Sequence, residues 1–289
     1  MTGPLIQISA LEKTFVRRPV LQSLDVDIAS DDRIALIGSN GAGKTTLIRC
    51  LLGHYRHKGD ILLAGEKVST HNRSMLEAIA FVPQLPPPLK MPVADLIKFS
   101  CASGKADKDK IWDIADKLGL ELAILMSIPF NRLSGGQKQK LLISIALARP
   151  AKLFIFDEPS ANLDPAARSA FLDLLAQHKD RAMLIASHRL EEIASLVNRV
   201  IEMDQGKIVL DDRISDRLKE GDRRLCTLKL AVPSEALSKT LSEWDFSIAS
   251  NGLSASGQVA GGDMIRFLST LSRYGGLLSD ISFENLGED

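Results

Sequence analysis

One stretch of the chain restricts the fold more than any other, because a strand pattern, a glycine-rich loop and a helix pattern follow one another directly. RIALIG (33–38) reads as a buried strand, the loop GSNGAGKTT follows, and TTLIRCLL continues as a helix. The loop fits G-x-x-x-x-G-K-[ST], with Gly38, Gly43, Lys44 and Thr45 at the required places. Such a loop lets backbone N–H groups surround a phosphate at a helix N-terminus, whose dipole favours anions. The stretch therefore predicts a nucleotide-binding α/β domain.

The same loop predicts individual contacts. We expect Lys44 to reach the β- and γ-phosphates and the Thr45 hydroxyl to ligate Mg²⁺. The other predicted nucleotide contacts come from the loop residues Ser39, Asn40, Gly41, Ala42, Gly43 and Thr46. The competing interpretation is a glycine-rich turn that happens to carry a lysine. The strand before the loop and the helix after it favour nucleotide binding.

A second motif, FIFDEP, ends an apolar run in two carboxylates, Asp157 and Glu158. Open α/β sheets bind ligands at the carboxyl ends of their strands, so both side chains are expected beside the phosphate loop. We expect Asp157 to hold Mg²⁺ and Glu158 to act as general base on an attacking water. An Asp-Glu pair after a strand is often only a helix start. Together with the phosphate loop it indicates hydrolysis.

Strand and helix patterns alternate over the first two thirds of the chain. KLFIFDEP and AMLIASH are further buried strands, each followed by a helical stretch, which favours a mainly parallel sheet. LIQISALEKTFV, LQSLDVDIAS and GDILLAGEKV look like antiparallel strands. VADLIKFSCA, KDKIWDIADKLG and LELAILMS follow the Pro-rich loop QLPPPLKMP and predict a helical insertion at about 85–140. These patterns predict one domain at 1–220.

The pattern changes after VIEMDQGKIVLDDRI, a hairpin with its turn at Asp204–Gly206. A charged linker, SDRLKEGDRR, leads into CTLKLAV (strand), PSEALSKTLSEW (helix), DFSIAS and LSASGQV (hairpin), DMIRFLSTLSRYGG (helix) and LLSDISFEN (strand). This βαββαβ order predicts a small accessory domain at 221–289. The predicted fold class is α/β, a P-loop NTPase core with a small C-terminal α+β domain.

Composition narrows the class of partner. The 36 basic and 36 acidic residues cancel, so no nucleic acid partner is expected. Three widely separated cysteines, Cys50, Cys101 and Cys226, fit a reducing cytoplasm better than a disulfide framework. MTGPLIQISALEK lacks the pattern of a signal peptide, and no stretch reaches the roughly 18 apolar residues of a membrane helix. Any link to a membrane is therefore expected to go through another chain.

LSGGQKQK (133–140) places a serine and two glycines ahead of a strong helix pattern, LLISIALAR. Ser134 and the glycines make a second candidate anion-binding helix start. At this point the sequence resembles the ATP-binding-cassette (ABC) ATPases, whose signature LSGGQ stands here unaltered at 133–137. The resemblance covers nearly all of 5–212. GSNGAGKTT corresponds to Walker A, LFIFDEP to Walker B, FVPQ to the Q-loop, SANLD to the D-loop and ASH to the switch histidine.

The resemblance implies that ATP, with Mg²⁺, lies between two domains paired head to tail. Each ATP then contacts Walker A of one chain and LSGGQ of the other, so the partner is a second copy or a paralogous ATPase subunit. Ser134 and Gly136 would contact the γ-phosphate held by Walker A of the other chain. The remaining implied roles are Gln84 on Mg²⁺ and water, His188 positioning the water, Asp164 communicating across the dimer, Gly135 and Gln137 completing the signature, and Phe15 stacking on adenine.

Three classes of protein compete: the ATPase subunit of a transporter with separate membrane permeases, a soluble cassette protein of translation or DNA repair, and another P-loop protein. LSGGQ excludes the third, and the second usually carries two cassettes, long coiled coils or extra cysteines. We predict the first, in the cytoplasm on the inner face of the cell membrane. The short insertion and the C-terminal tail resemble two-component exporters, and export is predicted. Many of those exporters have Glu where Gln84 stands, so import stays an alternative.

Overall fold

The computed structural model describes most of the chain. Its described residues are 3–68, 77–178, 180–188, 190–213, 223–249, 251–260, 267–268, 270–271, 274 and 277–285. They divide into two compact units, the first within Met1–Leu190 and Leu196–Ile214, the second within Glu191–Ser195 and Ser215–Asp289. The predicted boundary at 220/221 and most of the predicted linker 215–224 lie outside the described residues. That boundary stays a prediction.

Ten strands and seven helices are described up to residue 213. The strands are β1 (Ile6–Phe15), β2 (Arg18–Ile28), β3 (Arg33–Ile37), β4 (Lys58–Leu63), β5 (Glu66–Lys67), β6 (Ile79–Val82), β7 (Leu153–Asp157), β8 (Ala182–Ala186), β9 (Arg199–Asp204) and β10 (Lys207–Arg213). The helices are α1 (Lys44–Leu51), α2 (Val93–Gly104), α3 (Lys108–Lys117), α4 (Leu122–Leu125), α5 (Gly135–Leu147), α6 (Pro165–Ala176) and α7 (Leu190–Ile193). A bilayer requires about 20 apolar residues, and no helix among the described residues is long and apolar enough to cross one.

A six-stranded mixed sheet lies at the centre of the first unit, in the order β10-β9-β3-β8-β7-β6. All of its neighbouring strands are parallel except β10, which is antiparallel to β9. Every residue of β7 and β8 is buried, as expected for strands covered on both faces. Ala186 pairs with both Leu36 and Asp157, so β3, β7 and β8 end at one edge. The predicted α/β fold is confirmed, and this edge carries the candidate site.

A second sheet of the first unit is antiparallel, in the order β2-β1-β4-β5. The three predicted antiparallel segments are confirmed as strands. The third, GDILLAGEKV, divides into β4 and β5 because the chain turns at Ala64 and Gly65, whose φ angles are +50° and +83°. Left-handed backbone of this kind is typical of a tight turn and interrupts a strand.

The helical region after the Pro-rich loop contains α2, α3 and α4, as predicted. The Asp107 side chain begins α3 by accepting hydrogen bonds from the N–H groups of Asp109 and Lys110. The predicted limits of the insertion, about 85 and 140, stay a prediction, and α5 runs through residue 140. One strand was not predicted from the sequence: β6 has four residues and, within the part of the chain that the structure describes, pairs with β7 alone at the edge of the sheet.

The second unit contains β11 (Arg223–Leu230), α8 (Glu235–Ser242), β12 (Ser247–Ile248), β13 (Ser254–Ala260) and β14 (Leu278–Asn285). Its antiparallel sheet has the order β12-β13-β11-β14. The core includes Phe246 stacked on Phe267, with ring centroids 5.0 Å apart. The four predicted strands and first helix are confirmed, although DFSIAS forms only the two residues of β12. The second predicted helix, 263–276, lies mostly outside the described residues; 267–268 and 270–271 are helical.

Candidate functional site

The phosphate loop requires glycine at two positions. Gly38 has φ +144° and Gly43 has φ +110°, values that L side chains rarely adopt. A Cβ atom at Gly43 would lie 2.9 Å from Cδ2 of Leu21 and 3.1 Å from the carbonyl oxygen of Val20. Gly43 is also the N-cap of α1, and no described side chain caps this helix end. The backbone alone therefore forms the start of α1, which is the geometry that receives a phosphate.

Lys44 places a positive charge on this loop. Its Nζ atom donates hydrogen bonds to the carbonyl oxygens of Gly38 at 2.6 Å and Ser39 at 3.2 Å. The residue is only 8% exposed, so its ammonium group is largely withdrawn from bulk solvent and its field is weakly screened. The other predicted loop contacts lie around it: Ser39, Asn40 and Gly41 are exposed, Ala42 is buried, and Thr46 is half-buried.

Two predicted metal ligands meet at the end of β7. The Thr45 hydroxyl donates a hydrogen bond of 3.3 Å to Oδ1 of Asp157, although the two residues are far apart in sequence. Burial raises the pKa of Asp157, the charge of Glu158 raises it further, and the hydrogen bond from Thr45 opposes both. A divalent cation beside this carboxylate would favour its ionised form. The pair of oxygens therefore fits the hard-cation chemistry of Mg²⁺.

Glu158 and His188 form a direct pair. His188 follows β8, and its Nδ1 lies 2.7 Å from Oε2 of Glu158. The Glu158 side chain is 11% exposed and that of His188 is 55% exposed, so a largely buried carboxylate is paired with an accessible ring. Glu158 has φ +50°, and its N–H donates to the Ala186 carbonyl oxygen at 3.0 Å. Left-handed backbone at a bulky residue is costly and is frequent at functional sites.

Most of these residues line one open cleft of about 790 Å³, although Ser39 and His188 are not among its lining residues. Lys44, Thr45, Gln84, Asp157 and Glu158 all line it. Sequence reasoning missed five further lining residues, Arg18, Pro19, Val20, Gln22 and Gln205. They come from β2 and from the turn between β9 and β10, and no local motif marks them. Antiparallel pairing and the approach of that turn bring them to the cleft.

Phe15 lies at the end of β1. Its ring makes an edge-to-face contact with Tyr55 at 5.2 Å, and Lys13 Nζ lies 4.5 Å from its centroid. The ring is 38% exposed, and Phe15 is not among the residues that line the 790 Å³ cleft. Its hairpin partner Arg18 does line that cleft. Adenine stacking by Phe15 stays a prediction.

The signature stretch begins α5 with a capping box. The Ser134 hydroxyl oxygen accepts a hydrogen bond of 3.2 Å from the N–H of Gln137. The Gln137 side chain in turn accepts one of 2.9 Å from the N–H of Ser134. This reciprocal pair fixes the Ser134 side chain while its own O–H is still able to donate. Ser134 is exposed, so that donor is accessible.

The two glycines of the signature differ in how closely they pack against the D-loop. Gly136 would place a Cβ atom 3.1 Å from the carbonyl oxygen of Asn162, which is tighter than nearly all real contacts. The nearest atom to a Cβ at Gly135 would be Oδ1 of Asn162, at 3.9 Å. Neither glycine is among the described residues with positive φ. A methyl group at 136 would therefore require the Asn162 backbone to shift by a few tenths of an ångström, whereas the backbone at 135 accepts one.

Asp164, at the end of the D-loop, uses both carboxylate oxygens within its own chain. Oδ1 accepts a hydrogen bond of 2.9 Å from the N–H of Ala167 and caps α6. Oδ2 lies 2.8 Å from Nζ of Lys140 in α5. The bond from Lys140 and the cap together lower the pKa of Asp164. The family resemblance implied a role for Asp164 across a dimer. The ion pair with Lys140, which lies in the basic run after LSGGQ, was not predicted.

The signature residues belong to a different cavity from the phosphate loop. Ser134, Gly136, Gln137, Lys140 and Asp164 line a space of about 410 Å³. None of its lining residues also lines the 790 Å³ cleft. One chain therefore presents two separate surfaces suited to phosphate: a cationic loop with two carboxylates, and a capped helix start with an accessible hydroxyl.

The chain resembles known proteins over most of the first unit. The family model described as ABC transporter matches residues 21–161. An uncharacterized ABC transporter ATP-binding protein of Bacillus subtilis, YdbJ, is 31% identical over 214 residues, covering 72% of this chain and 69% of that protein. The zinc import ATP-binding protein ZnuC of Marinobacter nauticus is 32% identical over 212 residues, covering 71% and 76%. The SkfA peptide export ATP-binding protein SkfE of Bacillus subtilis is 32% identical over 217 residues, covering 72% and 88%.

Solved structures share the fold at lower identity. The ATP-binding subunit of an ABC transporter superposes with a TM-score of 0.66 at 22% identity, covering 74% of this chain and 92% of that one. A dimeric ATP-binding cassette bound to ADP and phosphate gives 0.64 at 17% identity, covering 72% and 98%. These similarities concern the architecture alone.

Proposed function

This chain belongs to the ABC transporter family as an ATP-binding protein, and from that premise we propose that it hydrolyses ATP as one half of an ATP-driven dimer. The observation that carries the proposal is the division of the site. Lys44, Thr45, Asp157 and Glu158 line one cleft, whereas the exposed Ser134 lines another. We propose that a phosphate group enclosed on both sides receives these two surfaces from different copies.

The phosphate loop binds the nucleotide in this proposal. Lys44 and the backbone N–H groups at the start of α1 hold the β- and γ-phosphates. Thr45, Asp157 and Gln84 would hold Mg²⁺, which when bound would supply positive charge against the phosphates. The 3.3 Å hydrogen bond between Thr45 and Asp157 supports this set, since it places two oxygen ligands side by side. Phe15 is proposed to stack on the adenine.

We assign Glu158 as the general base and His188 as the residue that orients it. The 2.7 Å hydrogen bond from His188 holds Oε2 of Glu158 and leaves Oε1 to accept a proton from water. The low exposure of the carboxylate keeps its interaction with that water weakly screened. Gln84 lines the same cleft and is proposed to contact this water.

The signature acts on the nucleotide of the partner subunit. Ser134 donates its O–H to the γ-phosphate, and Gly136 brings backbone close to the same group. The capping box supports this role, because it orients the Ser134 side chain before any phosphate arrives. The partner is a second copy of this chain or a paralogous ATPase subunit.

The substitution Glu158→Gln tests the assignment. It removes the base but keeps the size and hydrogen-bonding ability of the side chain. Phosphate release is expected to fall by at least about a hundredfold, while the dimer persists in ATP and Mg²⁺. Light scattering after size exclusion then reports a shift from the 31.5 kDa monomer to twice that mass.

The matched control adds Lys44→Ala to Glu158→Gln. This double variant lacks the cation that holds the phosphates, so it is expected to stay monomeric in ATP. Undiminished turnover in Glu158→Gln, or a monomer alone in ATP and Mg²⁺, would contradict the proposal.

We propose that the dimer drives separate integral membrane permeases and lies at the inner face of the cell membrane. Named relatives support a transport role, since they include an import and a peptide export protein. We propose export for this chain, because its short helical insertion and its second unit resemble those of two-component exporters. No nucleic acid partner is proposed, because the net charge is zero.

Affinity purification of this chain from its native membrane tests partner and direction together. Permeases without a solute-binding protein are the expected companions. A co-purified solute-binding protein would indicate import instead. Ribosomes or DNA-repair proteins in place of permeases would favour the soluble class of ABC ATPase and contradict the transport role.

A further inference from the structure

Helix α5 contacts the segment made of Pro159 and the D-loop (160–164) at both ends of that segment and in its middle. Gln139 Nε2 donates a hydrogen bond of 3.2 Å to the carbonyl oxygen of Pro159. Lys140 Nζ lies 2.8 Å from Oδ2 of Asp164. Asn162 lies between Pro159 and Asp164 in the sequence. A Cβ atom added at Gly136 would be 3.1 Å from the Asn162 carbonyl oxygen. Two consecutive side chains of α5 therefore bracket the whole loop.

The Lys140–Asp164 pair differs from the ordinary surface ion pairs of this chain. The Lys140 side chain is only 13% exposed, whereas that of Asp164 is 53% exposed. The exposed Lys117–Asp113 pair has the same 2.8 Å separation with 46% and 60% exposure. An exposed ion pair contributes little to stability, because water screens its charges and two flexible side chains must be ordered. Because the Lys140 side chain is largely buried, water is less able to take the place of the Asp164 carboxylate as its partner.

The D-loop begins two residues after the proposed catalytic base, Glu158. The N–H of Ala161 donates to the Glu158 carbonyl oxygen at 3.4 Å, and that of Leu163 to the Ser160 carbonyl oxygen at 3.2 Å. These turns make the segment from Glu158 to Asp164 compact and connect Asp164 to Glu158 through few residues. The same helix α5 carries Ser134 at its N-cap.

We propose that Lys140 is a positioning residue that fixes the spacing between Glu158, which serves this chain's nucleotide, and Ser134, which serves the nucleotide of the partner subunit. The ion pair with Asp164 locks the D-loop to α5, so the two half-sites of one chain move as one body. This inference rests on the proposed function, because it assigns Glu158 and Ser134 to different ATP molecules.

The test compares Lys140→Met, Lys140→Arg and the control Lys117→Met in the full chain. Lys140→Met removes the charge with little change in length, and Lys140→Arg keeps a cation able to pair with the carboxylate. Lys117→Met breaks an equally short pair that is exposed. Steady-state ATPase kinetics and amide hydrogen exchange of residues 158–167 are measured for each variant and for wild type.

Lys140→Met is expected to lower kcat by roughly tenfold or more, because small displacements of reacting groups cost this much. KM for ATP is expected to change less than about twofold, since the phosphate loop is intact. Exchange at 158–167 rises, whereas Lys140→Arg restores most of the turnover and the protection. Lys117→Met is expected to match wild type in kcat, in KM for ATP and in exchange at 158–167.

Unchanged kcat and unchanged exchange in Lys140→Met would overturn the proposal. So would a kcat loss accompanied by faster exchange throughout the chain, since that identifies a general loss of stability. Failure of the proposed function looks different: wild type itself then shows no turnover, while the exchange at 158–167 still reports whether Lys140 holds the loop.

Discussion

Two helices of the first unit have glycine at their N-terminal starts, as the N-cap of α1 and as the first residues of α5, and they use it for different reasons. At α1, Gly43 has φ +110° and no described side chain caps the helix, so its backbone N–H groups are left available for a ligand. At α5, Ser134 closes a capping box and the following glycines have no positive φ among the described residues. Glycine at α1 provides a rare backbone conformation, whereas glycine at 136 provides room beside Asn162.

This difference separates the roles of the two helix starts. An uncapped helix end with a buried lysine is suited to hold a phosphate by itself, because both the dipole and the ammonium group favour an anion. A capped helix end has already satisfied part of its backbone and offers one oriented hydroxyl. We therefore expect the first to be a primary binding site and the second to be a surface that completes the site of another copy.

The largest expected difference in this comparison is between alanine at Gly43, before α1, and alanine at Gly135, at the start of α5. Gly43→Ala must adopt φ +110° and bring Cβ to 2.9 Å from Leu21, so strain of about 1–3 kcal/mol is expected. Binding of a fluorescent ATP analogue by the single chain should fall below detection, and the melting temperature should drop. Gly135→Ala meets no atom closer than 3.9 Å and should leave both quantities unchanged.

Equal loss of nucleotide binding in Gly43→Ala and Gly135→Ala would break the comparison, because it would place both helix starts at the same nucleotide within one chain. Equal retention would show that the α1 backbone does not need its observed conformation.

A smaller expected effect is the opposite dependence of stability on pH at Asp157 and Asp164. Burial raises the pKa of Asp157 above 3.8, so its contribution to stability is present below that pH and is lost as pH rises through the folded value. The pKa of Asp164 is lowered by Lys140 and the cap, so its contribution is present above 3.8 and lost as pH falls through the folded value.

In nucleotide-free and magnesium-free buffer, Asp157→Asn should therefore raise the melting temperature at neutral pH, with the difference from wild type vanishing in acid. Asp164→Asn keeps a capping side chain but loses the ion pair, so it should lower the melting temperature at neutral pH. Melting curves across the acid range check both signs. The same sign for both variants would contradict the contrast between a buried carboxylate and a paired one.

Local motifs predicted much of the site. Lys44, Thr45, Gln84, Asp157 and Glu158 were each assigned from short patterns and share one cleft. Parallel strands that end at one edge explain this, because register carries each motif to the same place. Continuous apolar runs likewise predicted β3, β7 and β8.

Contacts between distant segments were not predictable in the same way. The Lys140–Asp164 pair joins two helices, and the buried Arg199 donates to Asp32 at 2.7 Å across 167 positions of sequence. Neither pair has a spacing rule, since only packing brings its members together. The edge strand β6 was missed because four apolar residues give too little pattern to tell strand from helix.

The most direct test of the central claim, that the two helix starts serve different ATP molecules, is the mass of Glu158→Gln with and without Ser134→Arg in ATP and Mg²⁺. Arginine at the N-cap removes the hydroxyl and fills the approach to the helix start while leaving the phosphate loop intact. Light scattering should report a dimer for Glu158→Gln and a monomer for the double variant, with ATP analogue binding by the single chain equal in both. A double variant that still dimerises, or that loses ATP binding as a monomer, would contradict the division of the site.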